Sequence, residues 1–103
     1  MSPLAQLPAS LRTALNERRL LKVIAGLANF EAASVARVAR AAAAGGADLI
    51  DVACDPELVR LAVAESGLPI CVSAVDPELF PAAVAAGATM VEIGNYDLSL
   101  IHI

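Results

Sequence analysis

Two acidic residues interrupt apolar segments that are near-copies of each other. Asp51 lies in the run AAAAGGADLIDVA, and Glu92 occupies the matching place in AAVAAGATMVEIG. Each run has the form of an alanine-rich helix, a glycine turn and a short buried strand that contains one acid. Because an unpaired carboxylate in an apolar strand is costly, we expect each acid to be paired or used. Two such carboxylates could perform general acid and base catalysis on a small substrate.

Lys22 belongs to a third apolar segment, LLKVIAG, which is the first predicted strand. When the predicted strands are aligned at their ends, Asp51 and Glu92 share one layer, and Lys22 lies one layer below on the same face. There Lys22 would tune the charge of the two acids or bind an anionic group of a substrate. The alternative is that the three residues form a buried ion-pair network that only stabilises the fold.

Four further residues lie at the carboxyl ends of predicted strands, the edge where parallel α/β folds bind their ligands. Gly26 ends the first predicted strand, and Asn29 lies in the loop after it. Gly94 ends the fourth predicted strand, and Asn95 follows it. These positions predict ligand contacts, and the two amide side chains could hydrogen-bond a substrate. Asn29 is also in the position of a helix cap, which is the more common role for asparagine there.

The elements that position these residues alternate between helix and strand. A first helix is predicted in LPASLRTALNERR with Ser10 as its cap, and a second in FEAASVARVARAAAA with Asn29 as its cap. The strand DLIDVA leads into a helix that Asp55 caps and Gly67 ends. The strand PICVSA is followed by a helix whose start Pro81 is expected to distort, and TMVEIG is the fourth strand.

The predicted strands recur about every 20 residues, with starts near positions 48, 69 and 89. This period indicates right-handed βα units of a parallel sheet, an α/β fold. Because neither GxGxxG nor GxxxxGKS/T is present, we favour the amino-terminal half of a (β/α)8 TIM barrel over a small open doubly wound sheet. A complete barrel has eight units and about 250 residues, so the other half would supply any phosphate-binding loop.

Composition limits the partners that this chain could have. A chain of 103 residues forms at most one domain, and a net charge of -4 with only 7 basic residues argues against a nucleic-acid partner. No apolar run approaches the ~20 residues of a transmembrane helix, so we expect a cytoplasmic protein with no membrane partner. Cys54 and Cys71 lack metal-ligand or redox spacing, which predicts two buried thiols and no metal site. No motif in the sequence indicates a particular cofactor.

Four stretches between Leu21 and Asp97 match the sequences of a known family, and they occur in the same order. They read LKVIAGLANF, DVACDPELVRLA, LPICVSAVDPELF and VEIGNYD. With these blocks the chain resembles the hypothetical chloroplast reading frame twenty-three family of cyanobacteria and plastids, a domain of unknown function. The resemblance implies an aldolase-type barrel longer than this chain, located in the stroma of plastid-bearing relatives. It implies no particular activity.

The resemblance ends after Asp97, and the last six residues read LSLIHI. This is the translation of one reading frame of a transposase adapter used in sequencing libraries. We therefore expect residues 1–97 to be the native half-barrel and residues 98–103 to be derived from the adapter; the alternative is a natural apolar tail. His102, the single histidine, lies in this tail and is assigned no catalytic role. The source DNA beyond codon 97 distinguishes the two origins.

Two classes of function are expected from these features. The first is a barrel enzyme of the lyase, isomerase or synthase type, which acts on a small phosphorylated or carboxylated metabolite through Glu92, Asp51 and Lys22. The second is a non-catalytic barrel that binds a flavin or a metabolite. The 103-residue chain by itself is expected to be inactive and to self-associate, because half a barrel exposes its interior face.

Overall fold

A computed structural model of the chain describes residues 8–17, 19–94 and 99–102, the last four by their backbone. Helices and strands alternate along these residues. In chain order they are α1 (Ala9–Asn16), β1 (Lys22–Gly26), α2 (Ala32–Ala44), β2 (Leu49–Ala53), α3 (Pro56–Ser66), β3 (Ile70–Ala74), a 3₁₀ turn (Pro77–Leu79), α4 (Phe80–Ala86), β4 (Met90–Gly94) and β5 (Ser99–His102).

The strands form one sheet in the order β1-β2-β3-β4-β5, and β1 to β4 run parallel to one another. A helix connects each parallel strand to the next, so the predicted α/β class is confirmed. This arrangement fits half of a βα barrel and also an open sheet. β5 was not predicted, and its backbone pairs antiparallel with β4. The origin of residues 98–103 in an adapter stays a prediction.

One face of the sheet, the outer face, packs against three helices. It consists of the alternate strand positions that include Ile50, Val52, Ile70 and Val72, all of them buried against α2, α3 and α4. The helices contribute apolar stripes at helical spacing, such as the buried residues of α2. Each fully buried aliphatic side chain of this kind contributes about 1.5–3 kcal/mol. The outer face therefore holds most of the core.

The opposite face, the inner face, is covered only in part. Leu11 of α1 packs on Leu49 and Cys71 at the amino-terminal end of the strands. Ile24, further along β1 on this face, is 61% exposed. α1 covers the amino-terminal end of the inner face and leaves the carboxyl-terminal end accessible. Polar side chains on the inner face therefore lie between the contact with α1 and this accessible end.

The predicted signals at the ends of α3 are confirmed. The side chain of Asp55 accepts hydrogen bonds from the backbone N–H groups of Glu57 (2.8 Å) and Leu58 (3.3 Å). Pro56 is the first helical residue, where its missing N–H leaves no gap in the hydrogen bonding. Gly67 ends the helix with φ +67°, a left-handed conformation that favours glycine.

Two of the predicted helix starts are wrong, and a third is confirmed. Ser10 lies inside α1, which begins at Ala9 after Pro8. Asn29 does not cap α2, because that helix begins three residues later, at Ala32. The expected distortion near Pro81 is present: a 3₁₀ turn precedes α4, and Pro81 lies in the first turn of that helix.

The strand register differs from the predicted layers. Ile24 pairs with Asp51 as expected, but Asp51 is level with Cys71 on β3, and Glu92 is level with Ser73. Glu92 therefore lies two residues further toward the carboxyl end than Asp51. The prediction aligned only β1, β2 and β4 by their ends, and it did not include β3. Because neighbouring strands of a tilted sheet are shifted relative to each other, the shift between β2 and β4 can be counted only through β3.

Candidate functional site

Three charged side chains meet on the inner face. Lys22 Nζ lies 3.1 Å from Glu92 Oε2 and 3.8 Å from Asp51 Oδ2. Strand alternation brings them together, because each occupies an inward position of β1, β2 or β4. The structure thus places the three predicted residues in one cluster, although the two acids come from different levels of the sheet. We call Lys22, Asp51 and Glu92 the inner-face cluster.

Asp51 is held by Ser73, a contact that the sequence did not predict. The residue is 3% exposed, and Ser73 Oγ lies 2.7 Å from one carboxylate oxygen and 2.8 Å from the other. Burial raises the pKa of Asp51, and the hydrogen bond from Ser73 and the charge of Lys22 offset only part of this rise. Asp51 is therefore a fixed and enclosed carboxylate.

Lys22 stays protonated in this setting. Its partial burial lowers the pKa of the ammonium group, but the hydrogen bond to Glu92 and the charges of Asp51 and Glu92 outweigh burial and leave the pKa raised. A lysine that acts as a nucleophile needs a neutral amine, which this environment disfavours. The arrangement suits Lys22 to electrostatic stabilisation of negative charge.

Glu92 is the more accessible of the two acids. Its side chain is 17% exposed, compared with 5% for the side chain of Asp51. Both acids share the single ammonium group of Lys22, and Glu92 has the shorter contact with it. An acid that is oriented by a cation and open on one side can exchange a proton with a bound molecule.

Cys71 is the other inner-face residue that the sequence did not assign to the site. Burial raises the pKa of its thiol to about 12, and the negative charge of Asp51 adds to this effect. Cys71 is therefore a buried, protonated thiol, as expected for both cysteines from the sequence. Serine and cysteine are common in buried strands, so the only sequence signal was their alternate spacing in PICVSA.

A possible ligand set for a metal ion exists among the described residues, although no metal site was predicted. Ligand atoms of Asp51, Cys71 and Glu92 lie within 4.8 Å of one another. However, the ammonium group of Lys22 lies against both carboxylates, and the thiol of Cys71 is protonated. Metal binding would have to displace the ammonium and the thiol proton, so these residues fit proton transfer better than metal coordination.

Asn29 is engaged within the β1–α2 connection. Its side-chain Nδ2 donates to the Ala25 carbonyl (3.2 Å) and to Ser34 Oγ (3.0 Å), and its Oδ1 accepts from the Glu31 N–H (3.2 Å). These bonds fix the loop that follows β1, and they use both N–H groups of the amide and one of the two acceptor sites on its oxygen. Its role in ligand binding stays a prediction.

The other predicted ligand contacts lie at the strand ends. Gly26 ends β1 with φ +114°, and its carbonyl accepts from the Asn29 N–H at 3.2 Å. Gly94 ends β4 and pairs with Ser99 of β5. Asn95 lies outside the described residues. The structure therefore brings together the acids and Lys22, and it leaves the role of the glycines and Asn95 as a prediction.

Apolar side chains are exposed at the carboxyl end of the strands. Ile24 and Phe30 are each 61% exposed, and Val75 is 63% exposed. Leu27, in the turn after β1, is also exposed. We call Ile24, Leu27, Phe30 and Val75 the apolar rim. Among the described residues, no helix has the length and apolar character needed to cross a membrane.

Comparison with known proteins identifies relatives of unknown function. The family model described as "Protein of unknown function (DUF561)" matches residues 7–101. Relatives named "Uncharacterized protein ycf23" come from Cyanophora paradoxa (49% identical over 84 residues), Cyanidium caldarium (40% over 80 residues) and Antithamnion sp. (37% over 87 residues). No solved structure significantly matches the chain.

The matched region is most of this chain but a minority of each relative. The three alignments cover 81%, 78% and 84% of the chain, and 35%, 32% and 31% of the respective relatives. The chain thus spans about a third of the length of the curated relatives that it matches. The expected resemblance to the chloroplast reading-frame family is confirmed. With matched residues that extend over nearly its whole length, the chain belongs to the DUF561 family of proteins of unknown function.

Proposed function

We propose that members of this family are (β/α)8 barrel enzymes that use Glu92 to transfer a proton to or from a small phosphorylated or carboxylated metabolite. The reaction would be of the lyase, isomerase or synthase type. The observation that supports this proposal is the inner-face cluster, in which one ammonium group orients two carboxylates on the accessible face of a parallel sheet.

The order of the strands, the side of their connecting helices and a contact across the sheet support a barrel. β1 to β4 are neighbours in sequence order, and the helices that connect them, α2 to α4, all lie on the outer face, whereas the connecting helices of a doubly wound sheet lie on both faces. α1, which packs on the inner face, precedes β1 and connects no strands. In a flat sheet three strand spacings separate β1 from β4 by ~14 Å. The 3.1 Å contact between Lys22 and Glu92 is easier to reach if the sheet curls toward its inner face.

The length of the relatives also supports a barrel. Eighty-four residues make up 35% of the Cyanophora paradoxa protein, which is therefore about 240 residues long. A (β/α)8 barrel typically has about 250 residues. Four βα units in this chain and about four more in the rest of such a relative would make up the eight units of a closed barrel.

Each member of the cluster has a distinct proposed role. Glu92 is the proton-transfer group because it is the accessible acid. Lys22 stabilises negative charge that develops on the substrate during proton transfer, or binds its phosphate or carboxylate group. Asp51, fixed by Ser73, keeps Lys22 protonated and oriented and has no direct contact with the substrate.

The test uses a full-length relative that has glutamate at the position of Glu92. A panel of small phosphorylated and carboxylated metabolites is incubated with the protein in D₂O, and proton exchange is followed by NMR. The exchange identifies a substrate, and the Glu92→Gln variant should then lose about 10²–10⁴-fold in rate. The temperature of unfolding should change little, because glutamine retains the shape of the side chain.

The matched control is Glu65→Gln, since Glu65 lies near the end of α3, away from the carboxyl ends of the strands, and pairs with Arg40. Exchange should be unchanged in this variant. If Glu92→Gln instead keeps its activity and unfolds at a much lower temperature, the inner-face cluster is a structural ion-pair network and the enzyme proposal is wrong.

A second candidate is a non-catalytic barrel that binds a flavin or another metabolite. The apolar rim favours it, because exposed Ile24 and Phe30 offer surface for a planar ring. A full-length relative that purifies with a bound yellow chromophore, and shows no proton exchange, would support this candidate. In either case we infer a location in the cytoplasm, or in the stroma of plastid-bearing relatives.

A further inference from the structure

Ser73 lies on β3, the strand between the strands of the two acids. β3 pairs with β2 on one side and with β4 on the other, and Ser73 is level with Glu92. Its side chain reaches diagonally across to Asp51, where Oγ lies 2.7 Å from Oδ1 and 2.8 Å from Oδ2. Ser73 and Asp51 are each 3% exposed. The hydroxyl group is therefore enclosed together with the carboxylate that it contacts.

This contact is suited to an ionised carboxylate. An ionised carboxylate only accepts hydrogen bonds, and a hydroxyl group that donates to it makes a charge-assisted bond. Ser73 is also closer to Asp51 than the cation is, since Lys22 Nζ lies 3.8 Å from Oδ2. In a buried site a polar group must replace the water that stabilises an exposed carboxylate. For Asp51 the hydroxyl group of Ser73 fills this role.

Two opposing effects act on the ionisation of Asp51. Burial raises its pKa, and the hydrogen bond from Ser73 is the largest effect in the opposite direction, followed by the charge of Lys22. Loss of the hydroxyl group would therefore leave burial opposed mainly by the ammonium group. Asp51 would then take up a proton at a higher pH than it does in the unchanged protein.

The other titratable groups that face Asp51 come from three strands. On β1, β3 and β4 they are Lys22, Cys71 and Glu92. α1 also packs on the inner face, but its buried residues, Leu11 and Ala14, do not titrate. Among these described groups Lys22 is the single cation, so protonation of Asp51 would leave the ammonium group with Glu92 as its only charged carboxylate partner.

We propose that Ser73 is a positioning residue that keeps Asp51 ionised and thereby keeps Lys22 shared between the two acids. This inference rests on the proposed function, in which Lys22 and Glu92 contact the substrate and Asp51 does not. Ser73 thus acts on the substrate-contacting groups only through Asp51. It sets the lowest pH at which the inner-face cluster keeps its arrangement.

The experiment uses a full-length relative that has the same residues at the positions of the inner-face cluster and Ser73. Its aspartates are isotope-labelled at the carboxyl carbon, the signal of Asp51 is assigned with Asp51→Asn, and its titration is followed by NMR. In Ser73→Ala the pH at which Asp51 titrates should rise by about one unit or more, because a hydrogen bond to a charged group is lost.

Two further variants separate the hydroxyl group from the volume of the side chain. Ser73→Cys keeps a side chain of similar shape but has only a weak donor, so it should shift the titration of Asp51 as alanine does. It also decides the question if Ser73→Ala does not fold. Ser73→Thr retains the hydroxyl group and should titrate like the unchanged protein.

Ser66→Ala is the matched control. Ser66 Oγ donates to the Ala62 carbonyl (2.6 Å) at the end of α3, outside the inner-face cluster. The variant also removes a hydroxyl group and its hydrogen bond, and it should leave the titration of Asp51 unchanged.

A substrate found by proton exchange gives a second measurement. On the acid side of the pH profile, Ser73→Ala should exchange about tenfold more slowly or worse, and it should recover the rate of the unchanged protein at higher pH. A serine that only supports the fold would lower the rate at every pH.

Two results would overturn the inference. The first is a titration of Asp51 that is the same in the unchanged protein, Ser73→Ala and Ser73→Cys. The second is an equal shift in Ser66→Ala, which would indicate a general loss of packing. Because the titration needs no substrate, a shift without any proton exchange would support the role of Ser73 and contradict only the proposed catalysis.

Discussion

At the scale of single residues, the inner-face cluster has one cation for two acids. Lys22 contacts both carboxylates, and the single hydroxyl proton of Ser73 is shared between the two oxygens of Asp51. Removing Lys22 would leave two buried carboxylates without their cation, which is costly, whereas replacing one acid by its amide leaves the other acid paired with Lys22. The two acids are thus coupled, and a change in the charge of one alters the other.

The raised pKa of Asp51 predicts how stability depends on pH. In the unfolded chain this carboxyl group has a pKa of about 4. Because its pKa is raised in the folded state, its contribution to stability is fully present below pH 4 and is lost as pH rises through the folded-state pKa. Lys22, Glu92 and Cys71 are the other titratable groups that face it.

Asp51→Asn should remove the contribution that Asp51 makes to the pH dependence of stability. The amide is neutral at every pH and keeps a hydrogen bond with Ser73. The loss of thermal stability between pH 4 and pH 7 should therefore be smaller in the variant than in the unchanged chain. Circular dichroism at fixed protein concentration measures the two profiles. An equal or larger loss in the variant would contradict the prediction.

At the scale of elements, the two Asp-Pro turns allow a direct comparison. Asp55 caps α3, which has 11 residues, with two hydrogen bonds, whereas Asp76 caps a 3₁₀ turn of 3 residues with one. Asp55→Ala should lower the free energy of unfolding by about 1 kcal/mol. Asp76→Ala should have a smaller effect. Thermal unfolding of both variants is the measurement, and a larger effect at Asp76 would refute the ranking.

The sequence was sufficient to predict the strands of the parallel sheet and the helices between them. It did not predict which residues of neighbouring strands lie side by side. Period and turn residues such as Asp55 and Gly67 are local signals, and they predicted β1 to β4 and the helices between them. Ser73 was missed because its importance comes from a neighbouring strand, and no local pattern encodes the stagger between strands. β5 was missed because nothing upstream of it indicates an antiparallel partner for β4.

At the scale of the whole molecule, the apolar rim predicts self-association of the chain in isolation. Ile24, Phe30 and Val75 each expose more than half of their surface. Exposed apolar side chains of this size promote association in water. Light scattering should therefore report oligomers, and Phe30→Ser should reduce them more than Val84→Ser, which alters a side chain of α4 that is also half exposed.

The outcome that contradicts this prediction is simple to recognise. A monodisperse monomer that melts in a single cooperative transition would mean that the rim is tolerated in water. The chain would then be a stable unit by itself.

The ion pair of Lys22 and Glu92 also bears on how the chain folds. It joins the first and the last parallel strands across 70 positions of sequence, so closing it requires every unit in between to be in place. Local helices and neighbouring strand pairs can form earlier, since they connect residues that are close in sequence. We therefore expect the charged cluster to form late in folding. A partly folded chain would have its βα units but no site.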